Sequence, residues 1–370
     1  MMSIPSRVGP VSAPELEPVA RNHRMIESPA ALLAHWRRCL ADPDLPPACV
    51  QEAAFGPFTI EVSFHGFTAR PAYGHALRPP SSPGRPPALA IHVLDGAACG
   101  LPRPRLAWKP ADFGPKQLVP GWSDRVHTTY LLRSEGGVAI ADWSERLAVV
   151  WLPSAGHVPW YERAAPFRWL LDNLAARLEM TTLHAAVVGR AGSGVIFAGR
   201  GGTGKSTLAL ACLGHGFDYV SDDYCLLSFG VEPRAHALYS TAKWKKDAVV
   251  VPDWLAQAVP DALDSSEQKN ILRLDLTRPD QLAEQLTVKA IIVPARTDSG
   301  EPMVESITQS LALRHLATST LLQCQVDQAG PVELMGRLVR AVPAFRLSMP
   351  RDPDISVAAI ASLLAELSAA

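Results

Sequence analysis

No stretch of this 370-residue sequence is apolar for long enough to cross a bilayer; the run LAVVWLP at 147–153 is far too short. The first residues lack the apolar core of a secretory signal. Neither sign of charge prevails: 35 Lys and Arg stand against 36 Asp and Glu, a formal net charge of −1. No global basic field therefore argues for nucleic acid or an anionic membrane, and any positive potential is local. Cysteine is sparse. Its six occurrences, at 39, 49, 99, 212, 225 and 324, form neither a CxxC pair nor a Cys/His cluster with zinc spacing. They read as reduced thiols, and the expected compartment is the cytoplasm.

What is present is an ordinary globular composition, 48% hydrophobic and 19% charged, with enough chain for two domains. Proline is abundant but uneven. RPPSSPGRPPALA (78–90) and LPRPRLAWKPADFGPKQLVPGW (101–122) cannot be helix interiors, because proline removes a donor and clashes with the preceding turn. Around them FTIEVSFHGFTA, HTTYLLRS, GVAIADWS and RLAVVWLP alternate apolar and polar residues as strands do. SPAALLAHWRRCLAD (28–42) reads as a helix with Ser28 as N-cap. Residues 1–24 have little to bury and are expected to be disordered. A β-rich domain for a substrate or partner is expected over 25–160.

From about residue 161 the pattern changes. APFRWLLDNLAARLEM (165–180) is an amphipathic helix; LHAAVVG and VIFAG are strands around a tight RAGSG turn; KSTLALACLGHG is a helix. FDYVSDDYCLLSF reads as one more strand, VKAIIVPAR as a buried strand, SLALRHLATSTLLQ and DISVAAIASLLAEL as helices, and AFRLSM as a late strand. Strands alternating with helices indicate an α/β sheet over 161–370.

Within it, Gly199-Arg200-Gly201-Gly202-Thr203-Gly204-Lys205-Ser206 fits G-x-x-x-x-G-K-[ST], with an apolar strand before it and a helix after it. Glycines let backbone N–H groups turn inward around phosphate oxygens, and the following helix adds the positive end of its dipole. Lys205 then reaches the β- and γ-phosphates, and Ser206 ligates Mg²⁺, with Thr207 next in the helix. The reading is a nucleoside triphosphate, ATP, with its metal. Asp222 and Asp223 come after only one helix and one strand. Two carboxylates beside the phosphates can divide the work of phosphoryl transfer, one on Mg²⁺ and one on an acceptor hydroxyl.

The stretch 183–227 resembles the catalytic core of HPr kinase and its relatives, which share a nucleotide fold with phosphoenolpyruvate carboxykinase. The matching residues are His184-Ala185, the hairpin, the glycine loop, and the Asp222-Asp223 pair. Downstream, YSTAKWKKD (239–247), VKAIIVP, LATSTLLQ and VPAFRLSM are similar to HPr-kinase-like proteins found beside peptide-modification genes, lasso-peptide clusters among them. The resemblance covers roughly 165–367. It implies a kinase that phosphorylates a serine of a peptide or protein, and a homo-oligomer. Asp222 is then the base and Asp223 the metal ligand, or the reverse. His184 sits at the active-site edge, touching γ-phosphate or acceptor, or is a satisfied histidine at a strand start. Lys243 faces phosphate or substrate, or is simply solvated; Arg200 contacts the nucleotide, or is merely exposed. Thr207 stands where true HPr kinases carry an acid. AKWKKD replaces their glutamate-bearing segment, and no basic, glycine-containing C-terminal signature comes after residue 228. These departures point away from HPr itself and from reverse phosphorolysis. Two other readings stay open: a small-molecule kinase, and a nucleotide-gated binding module that transfers nothing.

Overall fold

The computed structural model describes residues 25–67, 72–108, 118–119, 121–132, 136–245, 254–255, 263–265, 269–298, 300–324 and 328–369. The stretch 1–24 lies outside them, and with it the expectation of disorder there.

Six strands build the first sheet: β1 (Cys49–Phe55), β2 (Phe58–His65), β3 (Leu89–Asp95), β4 (His127–Leu132), β5 (Gly137–Asp142) and β6 (Leu147–Leu152), in the order β1-β2-β3-β6-β5-β4. β3 runs parallel to both β2 and β6, and the other pairs are antiparallel. Alternation along the strands gives the sheet two apolar faces. Helix α1 (Pro29–Leu40) covers one, packing Leu32, Leu33 and Trp36 against Leu94, Val149 and Trp151. Ser28 caps α1 as expected, its side chain accepting from the Ala31 N–H at 3.2 Å. The opposite face carries Ile60, Val62 and Phe64. It shares one core with Leu170, Leu171 and Leu174, and with Leu226 and Tyr239 further along the chain. The first sheet is thus fused to the C-terminal part of the chain by burial rather than tethered to it.

Helix α2 (Ala72–His75) lies between β2 and β3 in the chain, and helices α3 (Trp160–Ala164) and α4 (Arg168–Arg177) make the passage to the second sheet. The second sheet begins with β7 (Thr181–Leu183), β8 (Ala186–Arg190), β9 (Ser193–Phe197), helix α5 (Lys205–Gly214), β10 (Asp218–Ser221), β11 (Cys225–Phe229) and β12 (Pro233–Ala237). A small sheet of β13 (Thr241–Lys245), β14 (Leu263–Ser265) and β15 (Lys269–Arg273) comes next, then helix α6 (Leu274–Thr277). The second sheet resumes with β16 (Gln285–Arg296) and β17 (Met303–Ser306), and after helices α7 (Gln309–Leu321) and α8 (Ala329–Ala341) ends with β18 (Ala344–Met349). Helix α9 (Val357–Ala369) closes the described chain.

Its strand order is β10-β8-β9-β16-β12-β11-β7, with β18 on the C-terminal part of β16 and β17 on β18. One face packs Val188, Val195 and Phe197 against Leu208 and Leu213 of α5 and Ile360 and Leu364 of α9. The other packs Val187, Ile196 and Ile291 against Leu316 of α7 and Met335 and Leu338 of α8. Helices on both faces of a mixed sheet make this a three-layer α/β arrangement. All six cysteines are free thiols. Among the described residues no helix is long and apolar enough to cross a membrane.

Two sequence expectations change. FDYVSDDYCLLSF is two strands, because the chain bends at Asp222–Tyr224; LHAAVVG likewise breaks at His184-Ala185 into β7 and β8. Both breaks put polar side chains where a ladder would otherwise continue. Helix α8 carries no obvious start signal, since Gly330-Pro331 reads as a turn. Pro331 sits in the first helical turn, where its missing N–H costs no hydrogen bond.

Candidate active site

Strand directions alone bring the chemistry together. β8 is antiparallel to β9, and β10 antiparallel to β8, while β16 runs parallel to β9 and β18 parallel to β16. The start of β8 and the ends of β9, β10, β16 and β18 therefore lie along one edge. Across that edge stand Asp222 and Asp223 after β10, His184 before β8, the glycine loop after β9, Arg296 ending β16, and Met349 ending β18.

The loop needs its glycines for backbone reasons. Gly202 and Gly204 have φ of 86° and 99°, the left-handed region where a side chain is strained. A Cβ on Gly204 would also meet Met349 Cε at 2.6 Å. No side chain caps α5 at Gly204, and its first turn holds no acid, so the helix presents its positive end toward the cavity. Lys205 is buried, its ammonium donating to the carbonyls of Gly199 at 2.7 Å and Arg200 at 3.3 Å. The Ser206 hydroxyl donates to the Asp222 carbonyl at 3.4 Å, which ties the loop to the acidic bend.

At that bend the two aspartates have opposite settings. Asp222 is 3% exposed. Its Oδ2 accepts from the Lys243 backbone N–H at 3.0 Å, and its Oδ1 lies 2.9 Å from the Tyr219 hydroxyl. Tyr219 has a single hydroxyl hydrogen, yet it also lies 3.1 Å from the Thr241 carbonyl. The hydroxyl is the donor, shared between Asp222 Oδ1 and the Thr241 carbonyl. Burial pushes the Asp222 carboxyl up, with the Asp223 charge adding to the rise, against the Lys243 ammonium and the hydrogen bonds from the Lys243 N–H and Tyr219. For Asp223, burial works in the same direction, but the Lys243 ammonium and the hydrogen bond from His184 outweigh it. They hold this carboxyl well below the usual carboxylate range. Asp223 Oδ2 takes the Lys243 ammonium, and its Oδ1 lies 2.8 Å from His184 Nε2.

An ionised carboxylate only accepts, so His184 Nε2 carries the ring proton. On the other nitrogen, Gln323 Nε2 stands at 3.3 Å and Ser319 Oγ at 3.0 Å. The Ser319 hydroxyl donates to the His184 carbonyl at 2.7 Å, and the Tyr224 hydroxyl donates to Gln323 Oε1, which turns the amide nitrogen toward Nδ1. Helix α7 thus holds the ring in place with Nε2 turned to Asp223, so His184 is an oriented partner of Asp223 rather than a mere strand-start residue. Tyr224 lies against His184 with ring centroids 5.3 Å apart, and the Arg168 guanidinium sits 4.8 Å from the Tyr224 centroid.

These groups surround a cavity of about 1130 Å³, above the common range for a single small-molecule site. Of the residues read from sequence, His184, Gly201, Gly202, Gly204, Lys205, Ser206, Thr207, Asp222, Asp223 and Lys243 line it. Gly199, Arg200 and Thr203 shape the loop from outside that lining, and Arg200 is exposed. Lys243 is 5% exposed and paired with Asp223, so the solvated alternative falls. The sequence alone gave no role to Tyr219, Tyr224, Arg168, Ser319 or Gln323. The signals available were Tyr224 adjoining the aspartates and the Ser319–Gln323 span at the end of LATSTLLQ. Nothing along the chain links α7 to His184 across 135 residues.

The donor set suits Mg²⁺. A serine hydroxyl and carboxylates are hard oxygen ligands, and Mg²⁺ on a triphosphate takes few protein ligands beside phosphate and water. Among the described residues no group of three or more His, Cys, Asp or Glu forms a metal cage. A cation held largely by phosphate requires none.

No family model and no curated protein matches the chain. Among solved structures it is similar to the HPr(Ser) kinase/phosphatase from Coxiella burnetii, with a TM-score of 0.29 and 14% identity, over 51% of this chain and 98% of that one. So loose an overlap decides nothing about chemistry, and the functional reading rests on the site itself.

Proposed function

We propose that the protein is a kinase that transfers the γ-phosphoryl group of Mg²⁺-ATP to a serine hydroxyl of a peptide. The supporting observation is the convergence of the glycine-loop Lys205 and Ser206 with Asp223, His184 and Lys243 around one cavity. Lys205 and the start of α5 hold the phosphates. Ser206, with Asp222 behind it, stands on the metal side, where bound Mg²⁺ would neutralise phosphate charge. Asp223, ionised and the more accessible of the pair, orients the acceptor hydroxyl. The acceptor oxygen bonds to the γ-phosphorus, the bond from that phosphorus to the β-bridging oxygen breaks, the hydroxyl proton passes to Asp223, and ADP leaves. His184 and Lys243 position Asp223, and Lys243 is also placed to meet phosphate. Of the two assignments left open by the sequence, we favour Asp223 as base and Asp222 on the metal side, because Asp222 is the buried member with both oxygens engaged. The test is transfer of labelled γ-phosphate to serine peptides. Acid-stable phosphoserine is expected; binding of ATP without transfer to any alcohol removes the reading.

A further inference from the structure

Helix α7 reaches beyond the His184 clamp. Ser319 near its end and Gln323 just past it hold His184, and His315 lies one turn before Ser319 on the same side of the helix. Three arginines converge there. Arg314 is the neighbour of His315 in α7. Arg346 comes from β18. Ala344 packs with Ala312 and Leu316 of α7 whereas Phe345 and Leu347 pack on the other face, so alternation turns Arg346 toward α7. Arg200 is the second residue of the glycine loop. Phe197 and Phe345 lie level on either side of Ile292, so that loop leaves the sheet beside Arg346 with only β16 between them. His315 registers all three: burial, and then the charges of Arg314, Arg346 and Arg200, hold its ring below the usual imidazole value.

The three guanidinium groups are exposed, and among the described residues none of them is paired. Glu305, opposite Arg346 on β17, is also exposed and makes no ion pair with it, which leaves the cluster net positive. By contrast, Arg273 and Arg351 stand on Asp275 and Asp298. Like charges gathered without a counter-ion repel one another, and an anionic partner relieves that repulsion. Arginine forks match carboxylates in particular. The cluster also adjoins the cavity. Gly201 and Gly202, directly after Arg200, line it, whereas the three arginines stand outside that lining. Arg314 is five residues before Ser319, about 7 Å along the helix axis. An extended peptide covers that span and the step to Asp223 in roughly two to four residues.

We infer that the face formed by Arg200, Arg314 and Arg346 docks a run of Asp or Glu in the peptide partner, which on the kinase reading above is the acceptor, a few residues from its serine. Docking there holds the acceptor chain along α7 and delivers the hydroxyl to Asp223.

The experiment uses the full-length protein and three peptides: one with three glutamates starting three residues before the serine, one with them starting three residues after it, and one with glutamines in their place. With Mg²⁺-ATP at low salt, kcat/KM for one of the glutamate peptides is expected to exceed that for the glutamine peptide by about five- to tenfold. The ratio should shrink in about 1 M salt, where the screening length is roughly 3 Å. Arg314→Gln and Arg346→Gln, combined, should bring it near one while the KM for ATP holds, and the corresponding Lys variants should keep most of it. Anisotropy of the same peptides carrying fluorescein reads the preference without turnover. Equal kcat/KM and equal binding for all three peptides overturn this inference and leave a kinase. A preference that survives in the double Gln variant also overturns it, by placing the acidic segment elsewhere. So does a raised KM for ATP with the peptide ratio unchanged, which assigns the arginines to the nucleotide. If ATP binds and no serine is labelled, the kinase reading fails; the docking face then stands if the glutamate peptide binds through Arg314 and Arg346, and falls if it does not.

Discussion

Asp222 and Asp223 are consecutive residues held in opposite electrostatic settings, burial raising the first carboxyl and Lys243 with His184 lowering the second. The first is buried behind Tyr219 and the Lys243 backbone, and the second is pinned by the Lys243 ammonium and His184. The two should therefore respond differently to the same substitution. In Asp222→Asn the amide oxygen can still accept from the Lys243 N–H and the amide nitrogen can donate to Tyr219, whose hydroxyl can turn to the Thr241 carbonyl, while the carboxyl group's capacity for negative charge beside Ser206 is lost. Fold stability should hold within about 1 kcal/mol, and the main loss should be a higher Mg²⁺ requirement. Asp223→Asn removes the charge that faces the acceptor, and kcat should fall by about 10²–10⁴-fold with ATP affinity little changed. Steady-state kinetics with Mg²⁺ titration separates the two.

Helix α7 acts on Asp223 through His184. His184→Gln can keep a side-chain N–H directed at Asp223, whereas His184→Ala cannot. The glutamine variant should retain more of kcat than the alanine variant, by about tenfold at an added charge-assisted hydrogen bond of roughly 1.5 kcal/mol. Ser319→Ala, which loosens the His184 ring without touching the cavity, should lower kcat more than it changes the KM for ATP.

Gly204 has no tolerable replacement. Alanine there meets both a φ of 99° and the Met349 methyl at 2.6 Å. Gly204→Ala should cost about 1–3 kcal/mol of stability and weaken ATP binding, read as loss of the thermal shift that nucleotide gives wild type. Adding Met349→Ala should relieve the steric part of that loss and leave the backbone strain.

Stability should also depend on pH through buried histidines. Burial lowers His92 and His236 to about 4, with the His65 and Arg234 charges adding to the respective shifts. In each case the folded value lies below the unfolded one of about 6.5, so the unfolded chain binds more protons in between. The stabilisation is complete above pH 6.5 and is lost as pH falls toward 4. Asp222, raised by burial, works in the opposite sense. The difference between wild type and His236→Gln in denaturant unfolding at pH 5 and pH 7 isolates the histidine. Wild type should lose more stability over that interval than the variant.

The glycine loop was legible because its chemistry is local: eight consecutive residues, a strand before and a helix after, meet every phosphate requirement. The aspartate pair was legible for the same reason, being one helix and one strand away. What could not be read was which aspartate is buried, since that depends on Tyr219 and on the backbone of Lys243 in another sheet. The His184 clamp depends on Ser319 and Gln323, brought back by β16 and α7. The packing of α3 beside β13, with Thr241 Oγ1 donating to the Ala164 carbonyl at 2.7 Å, likewise joins residues far apart in the chain. Alternation in 50–153 gave strands but not their order, and the parallel β2-β3-β6 core is set by contacts between residues tens of positions apart.

On the proposed kinase reading a phosphoryl group leaves ATP for an alcohol under the direction of Asp223, and the kinetic predictions depend on that event. Incubating wild type and Asp223→Asn with γ-labelled ATP, Mg²⁺ and a set of serine peptides measures it. Labelled phosphoserine is expected from wild type and at most a trace from the variant, both proteins binding ATP alike. Equal labelling by the two proteins, or bound ATP with no label on any acceptor, would refute it.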